Sequence, residues 1–169
     1  MITIRKEQPA DIDAIRQLHL SAFEDGPEAS LVDKLRLSCS EFLSFVALKN
    51  ETIVGHILFT PATIDGSASI GIGLAPMAVL PSEQKNGIGS KLVRHGLDYL
   101  ESDGCPFVIV LGHPKYYLRF GFEPASKYNL HSQWEEVPDE AFMAIILNTE
   151  SIPQSGGISR YRSEFNDAM

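Results

Sequence analysis

Cysteine is scarce in this sequence, and nothing in it suggests a structural metal site. Cys39 and Cys105 are the only cysteines among 169 residues, and they lie far apart. A structural zinc site usually needs about four ligands at short, paired spacings. The histidines are equally scattered, at His19, His56, His95, His113 and His131. We therefore expect two free thiols and no bound metal.

Long apolar runs are absent too. No stretch approaches the ~18 consecutive apolar residues that a membrane-spanning helix requires. The opening segment, MITIRKEQPADID, also lacks the apolar stretch that follows the basic residues of a signal peptide. These absences predict a cytoplasmic protein that makes no contact with a membrane.

Basic residues are few as well. Twenty-two acidic residues against fourteen basic ones give a formal net charge of -8. Nucleic-acid-binding surfaces need clustered lysine and arginine to meet the phosphates, so no nucleic acid partner is expected. An acidic surface can instead attract a cationic amine.

What the sequence does contain fits one compact domain. A chain of 169 residues, of which 44% are hydrophobic, can bury a sizeable core. We predict a single domain over residues 1–169, in which the segment 150–169 is a loop-rich C-terminal tail.

The periodicity of apolar residues predicts a mixed α/β fold. A short strand at the N-terminus and two helices are expected before about residue 35. Three antiparallel strands should follow at 42–48, 52–60 and 68–79, then a helix at 88–102, a strand at 107–111, a short helix at 113–121 and a strand at 141–147. The apolar run at 107–111 is typical of a strand buried on both faces, as in a parallel pair. The order is βααβββαβαβ, with room for another strand near Asn129 or in the tail. It joins an antiparallel meander to one parallel crossover.

The most informative segment lies between the third strand of the meander and the helix at 88–102. It is a loop that contains Gly87 and Gly89 and opens directly into the helix. The N-terminus of a helix presents unpaired N–H groups and positive dipole, which favour a phosphate, and glycine lets the backbone approach it closely. The spacing fits neither a P-loop nor a dinucleotide fingerprint, since no lysine follows the second glycine and Leu92 stands where the third glycine would be. A turn that binds no ligand is the alternative.

The loop resembles the acetyl-CoA pyrophosphate loop of the GNAT (GCN5-related) N-acetyltransferase superfamily, whose pattern is Gln/Arg-x-x-Gly-x-Gly/Ala. The order of elements is also similar, and the resemblance is best over residues 1–122. It implies an acyl-CoA N-acyltransferase fold with splayed central strands and acetyl-CoA as co-substrate. By resemblance, the residues that bind it are Met77, Ala78, Val79, Gln84, Lys85, Asn86, Gly87, Ile88, Gly89 and Ser90.

Pro76 supports this interpretation independently. Proline has no N–H group to donate, so it is awkward inside a central strand, and Gly71 and Gly73 just before it favour a bulge. In GNAT proteins the strand before the loop bends away from its parallel neighbour, and the pantetheine arm enters the gap. An ordinary edge-strand proline is the alternative.

A general acid is suggested by the segment Tyr117-Leu118-Arg119-Phe120-Gly121-Phe122. It resembles the GNAT pattern Tyr-x-Lys/Arg-x-Gly-Phe, in which the tyrosine lies near the CoA sulfur and protonates the departing thiolate. The resemblance therefore assigns this role to Tyr117, with the adjacent Tyr116 as the other candidate. His113 could act as a base or could cap the short helix. The alternative for either tyrosine is a structural role, in which the ring packs in the protein and the hydroxyl group is hydrated.

The general base is harder to find. GNAT enzymes commonly use a carboxylate whose position varies. Glu24, Asp25 and Glu28 lie in or beside the loop after the first helix, which in this fold borders the acceptor site, although each could be a solvated surface charge. The backbone N–H of Met77 or Val79 could contact the oxyanion.

Together these features predict an enzyme that moves an acetyl group from acetyl-CoA to a primary amine. Direct attack in a ternary complex is expected, because neither cysteine has an evident partner base for a covalent intermediate. A catalytically silent acetyl-CoA sensor and a binder of another nucleotide are the alternatives. The expected acceptor is a small-molecule or peptide amine, and the sequence is compatible with a homodimer.

Overall fold

The computed structural model describes residues 1–23 and 27–168, and the chain divides into two compact units. The first unit comprises residues 1–59, 75–97 and 163–169. The second comprises residues 60–74 and 98–162. Two strands and one helix continue along the chain from one unit into the other, so they are described by the part that each unit contains.

The first unit contains three antiparallel strands and most of the helical residues. Its elements are β1 (Ile2–Lys6), α1 (Ile12–Phe23), α2 (Glu28–Ser38), β2 (Leu43–Lys49), β3 (Thr52–Ile64) up to Phe59, the end of β4 (Ile70–Val79) and α3 (Ile88–Ser102) up to Leu97. β2 lies between β1 and β3, with Phe45 opposite both Lys6 and Ile57. Asn50 and Glu51 make the tight turn between β2 and β3 in left-handed conformations, with φ of 51° and 67°.

The helices of the first unit are fixed by close packing. α1 buries Ile15 and Leu18, as its helical spacing predicts, and α2 buries Leu31, Val32 and Leu35. Glycine lets α3 approach β3, because a Cβ atom at Gly55 would lie 3.0 Å from the side chains of both Ile88 and Leu92.

The second unit is built around a strand that is buried along almost its whole length. β5 (Phe107–Leu111) pairs in parallel with the start of β4, where Gly73 faces Ile109, and pairs antiparallel with β8 (Phe142–Ile146). β6 (Glu123–Pro124) extends beyond β8. β9 (Gly157–Arg160) joins the end of β3 to β7 (Leu130–Ser132), and α4 (Pro114–Tyr117) follows β5.

Most predicted elements are confirmed. The helix at 88–102 and the strand at 107–111 have the predicted bounds, and the mixed α/β class is right. The expected further strand is present at both suggested places, as β7 and β9. The tail contributes β9, and Tyr161 and Phe165 are buried there, although Ile158 is partly exposed. The parallel register of β4 and β5 covers Ile72 to Leu74, two positions before Pro76.

Candidate active site

The loop before α3 has the geometry of an anion site. Gly87 has a φ of 80° and Lys85 a φ of 66°, so the backbone turns through the left-handed region twice within three residues. The Lys91 N–H donates to the Gly87 carbonyl at 3.0 Å, which closes the first turn of α3. In an α-helix the N–H groups of the first turn generally lack a partner within the helix and are available to an anion.

A hydrogen bond and an ion pair within the first unit hold this loop in place. The Gln84 side-chain amide donates to the Val79 carbonyl at 3.1 Å. The Lys49 ammonium pairs with both oxygens of Glu83 at 3.0 and 3.3 Å. Gln84 is thus placed as a support of the loop, and the Val79 carbonyl already has a hydrogen-bond donor.

The residues predicted to bind the co-substrate differ in their exposure to solvent. Gln84, Lys85, Asn86 and Gly87 are exposed, whereas Met77, Val79, Gly89 and Ser90 are half-buried and Ala78 is buried. Ile88 is only 2% exposed, and its side chain belongs to the core of the first unit. Only the backbone of Ile88 could therefore meet a phosphate.

Tyr117 lies in an aromatic cluster of the second unit. Its ring makes edge contacts with Tyr116 and Phe122, at centroid distances of 5.0 and 5.7 Å. It also covers Gly112, where an added Cβ would come within 2.5 Å of the ring. The absence of a side chain at Gly112 therefore determines where the Tyr117 ring can lie.

The electrostatic surroundings keep the Tyr117 hydroxyl protonated. Burial raises its pKa well above the ordinary value for tyrosine, and the neighbouring Tyr116 adds to the effect. Tyr117 at neutral pH is thus a phenol that can donate a proton. Tyr116 differs in that the Arg119 guanidinium lies over its ring, 4.7 Å from the centroid.

His113 precedes α4 but does not cap it with its side chain. It is exposed, and its backbone is extended, with φ of -73° and ψ of 121°. Its carbonyl accepts the Tyr116 and Tyr117 N–H groups, each at 3.1 Å. His113 is therefore the N-cap residue of α4, as one of the two interpretations of the sequence expected, and it caps the helix through its backbone carbonyl.

Of the acidic candidates, Glu28 is the one that the structure describes, while Glu24 and Asp25 lie outside the described residues. Glu28 is the first residue of α2. Its Oε2 atom is buried and has no hydrogen-bond partner among residues 1–23 and 27–168. Glu28 as a whole is half-buried, with this one oxygen shielded from water.

Both cysteines are free thiols. Cys39 is a buried free thiol and Cys105 a half-buried one, as expected. In the part of the chain that the structure describes, no three His, Cys, Asp or Glu side chains are grouped so that they could hold a metal ion. None of the helices in that part is long and apolar enough to cross a membrane.

Two buried polar groups were missed by sequence reasoning. His19 and His56, in α1 and β3, are hydrogen-bonded to each other although 37 positions apart. A histidine inside the otherwise apolar strand at 52–60 was the available signal.

Known proteins resemble this chain along nearly its whole length. A family model described as an acetyltransferase (GNAT) domain matches residues 3–125. The N-acetyltransferase YhbS of Escherichia coli K12 is 34% identical over 164 residues, which cover 96% of this chain and 98% of YhbS. The N-acetyltransferase YjhQ of the same organism is 39% identical over 135 residues, 78% of this chain and 75% of YjhQ.

Solved structures of GNAT acetyltransferases are also similar to this chain. Escherichia coli YhbS in complex with CoA has a TM-score of 0.90 and covers 98% of this chain and 92% of its own. A GNAT acetyltransferase from Brucella melitensis in complex with acetyl-CoA has a TM-score of 0.80 at 34% identity, with 98% of both chains covered. The predicted fold is thereby confirmed, and the chain belongs to the GNAT family of acetyltransferases.

Proposed function

We propose that this protein transfers the acetyl group of acetyl-CoA to a primary amine by direct attack in a ternary complex, within one catalytic domain. The observation that carries the proposal is the braced loop of residues 84–89 at the N-terminus of α3. The CoA and acetyl-CoA complexes of the 34% identical relatives support the same assignment.

The loop contributes backbone N–H groups to the pyrophosphate of the co-substrate. Gly87 and Gly89 let the backbone come close, and the positive end of the α3 dipole favours the phosphate charge. Lys85 adds an exposed ammonium beside them. Met77 and Val79 contribute backbone groups from β4 to the pantetheine arm, and an N–H of either stabilises the oxyanion.

Tyr117 acts as the general acid. When the tetrahedral intermediate collapses, the C–S bond breaks and the sulfur takes the bonding electron pair. The Tyr117 hydroxyl gives its proton to that sulfur, so that CoA leaves as a thiol. Its raised pKa, caused by burial, supports this role because the hydroxyl is protonated before the step.

The acceptor amine meets acidic side chains near the α1–α2 connection. Glu28, with its buried and unpartnered oxygen, is the described candidate for holding the ammonium, and Glu24 is the other. His113 is exposed after β5 and could assist as a base. The overall charge of -8 favours a cationic acceptor over an anionic one.

Calorimetric titration with acetyl-CoA, with CoA and ATP as controls, tests the loop. We expect saturable binding of acetyl-CoA and of CoA near one equivalent, and none of ATP. A panel of primary amines, followed by the release of free CoA thiol, then tests the reaction. Tyr117→Phe should bind acetyl-CoA with wild-type affinity. Its rate of acetylation should fall at least ten-fold, and by about 10² if protonation of the thiolate limits the rate.

Either step can contradict the proposal. Absence of acetyl-CoA binding would show that residues 84–89 form only a turn. Tight binding without acetylation of any amine would instead identify a sensor of acetyl-CoA.

A further inference from the structure

A chain of hydrogen bonds runs through the interior of the first unit. Its residues are separate from the co-substrate loop and from Tyr117. His19 Nε2 lies 2.8 Å from His56 Nδ1, and His56 Nε2 lies 2.8 Å from Ser44 Oγ. Ser44 Oγ lies 2.7 Å from Glu7 Oε1, and the Glu7 carboxylate is held by both terminal nitrogens of Arg36. Five elements or their flanks thus contribute to one polar path.

The bonding partners determine where each proton lies. A carboxylate paired with a guanidinium can only accept, so the Ser44 hydroxyl donates to Glu7 and must accept from His56. His56 therefore carries its proton on Nε2 and accepts at Nδ1. That acceptor requires His19 to carry its own proton on Nε2.

The assignment leaves a bare lone pair on His19 Nδ1. This atom is buried and has no hydrogen-bond partner in the described part of the chain, and the His19 side chain is only 1% exposed. Stacking on the Phe23 ring, at 6.0 Å and 19°, holds the imidazole in place. A buried acceptor without a donor costs free energy, so the site is suited to a ligand that brings an N–H or O–H group.

The opposite end of the path is open. Glu7, Arg36 and Ser44 line a surface pocket of about 430 Å³ in the same unit. A proton that reaches Glu7 can therefore exchange with water. The path has the two ends that a proton relay needs, a buried acceptor and an outlet to solvent.

A second buried acceptor in the first unit points to the same kind of ligand. Glu28 Oε2 also lacks a partner among the described residues. It begins α2, which is joined to α1 by the ion pair between Arg16 and Asp33. A primary ammonium has three N–H groups and can donate to more than one acceptor.

We propose that His19 is the proton acceptor for the incoming amine and that His56, Ser44 and Glu7 carry the proton away. This rests on the proposed function. The amine nitrogen, or one water bonded to it, gives a proton to His19 Nδ1 as the N–C bond forms. The Nε2 proton of His19 then passes to His56 Nδ1, that of His56 Nε2 passes to Ser44, and the Ser44 hydroxyl proton passes to Glu7.

The balance of the reaction requires such an outlet. An ammonium that becomes an amide loses two protons, while the departing thiolate takes up only one. One proton must therefore leave the site for solvent. In the relay both imidazoles end neutral, with their protons on the opposite nitrogens, so no imidazolium has to persist beside the Arg36 cation. After the product has left, the reverse rearrangement restores the resting tautomers: Glu7 takes up a proton from water, and the Nδ1 proton of His19 passes to water in the emptied site.

The tautomers are the first test, because they do not depend on activity. With protein labelled with ¹⁵N at histidine, long-range ¹H–¹⁵N correlation near pH 7 should show Nε2–H and bare Nδ1 for both His19 and His56. A proton on His19 Nδ1 in the free protein would overturn the proposal. The resonances are assigned with His19→Gln and His56→Gln.

The second test is steady-state kinetics, with a primary amine that the wild type acetylates as the substrate. In His19→Gln the amide can still donate to His56, but no second nitrogen remains to accept. We expect kcat/KM to fall by about 10² or more with unchanged affinity for acetyl-CoA, and its pH dependence to change. Ser44→Ala should lower it similarly by interrupting the relay. Arg16→Gln, on the surface of the same helix, is the control and should behave as the wild type.

The outcomes separate the two proposals. A wild-type kcat/KM and pH profile in His19→Gln, together with a slow Tyr117→Phe, would refute the relay and leave the acetyltransfer assignment intact. If the wild type acetylates no amine, both the amine role of His19 and the proposed function fail, while the tautomers still report on the path itself.

Discussion

The Tyr161 hydroxyl donates to the Leu74 carbonyl at 3.1 Å, at the last registered pair between β4 and β5. It also lies 3.4 Å from the Ile109 carbonyl on the neighbouring strand. Its ring stacks near Trp134 at 5.9 Å and covers Gly73, where an added Cβ would meet the ring at 2.5 Å. A residue of the tail thus completes the hydrogen bonding of the parallel pair.

Removing that hydroxyl should destabilise the fold. In Tyr161→Phe a buried carbonyl loses one of its hydrogen-bond donors, which costs about 1–3 kcal/mol of the free energy of unfolding. Urea denaturation measures the loss. Tyr128→Phe removes a hydroxyl that bonds the more exposed Glu123, so it should cost less. Equal losses in the two variants would contradict this account.

Gly112 should control the position of Tyr117. In Gly112→Ala the new methyl group would lie 2.5 Å from the ring and must displace it. We expect kcat to fall by roughly 10- to 100-fold, because small misplacements of a reacting group are costly, while the affinity for acetyl-CoA is retained. Tyr116→Phe keeps the neighbouring ring and serves as the control. An unchanged kcat in Gly112→Ala would show that the ring position does not matter.

The phosphate loop offers a matched pair of glycines. Gly87 and Gly104 both have a φ of 80°, and at neither would a Cβ atom meet anything within 4 Å. Alanine at either site should therefore cost a similar backbone strain, about 1–2 kcal/mol. Only Gly87→Ala should also weaken acetyl-CoA binding in calorimetry. Equal affinities in the two variants would place the phosphate elsewhere.

The buried histidines make stability depend on pH. Burial, with Arg36 nearby, lowers the pKa of His19 to about 4, and burial lowers that of His56 well below its usual value, with His19 and Arg36 adding to the effect. Between pH 6.5 and 4 the unfolded chain binds protons that the folded one does not. The free energy of unfolding should therefore fall as the pH drops through this window, by about 3 kcal/mol for His19 alone.

Urea denaturation at several pH values checks this dependence. His19→Gln should show a shallower fall between pH 6.5 and 4, because one of the two buried imidazoles is gone. An identical slope in the variant and the wild type would refute the linkage.

The sequence predicted best what is determined locally. The helix at 88–102 has a strong apolar periodicity, and the strand at 107–111 is an unbroken apolar run, so their bounds could be read directly. β6, β7 and β9 have two, three and four residues and too little pattern to locate them. They form because partners distant along the chain supply their hydrogen bonds.

The same distinction applies to the candidate site. The loop at 84–89 was visible because its function needs glycines at fixed spacing beside a helix. The pairing of His19 with His56 was not, since it arises only when α1 packs against β3. The shielded oxygen of Glu28 likewise depends on tertiary packing, and no local pattern distinguishes it from a surface carboxylate.

The bond from the Gln84 side chain to the Val79 carbonyl, with the Lys49–Glu83 ion pair behind it, has a thermodynamic consequence. A loop already held by its own side chains has little conformational entropy left to lose when a ligand arrives. The loop should then bind a phosphate as a preorganised site. The heat capacity change of binding should be set by the buried surface alone, with no contribution from coupled folding.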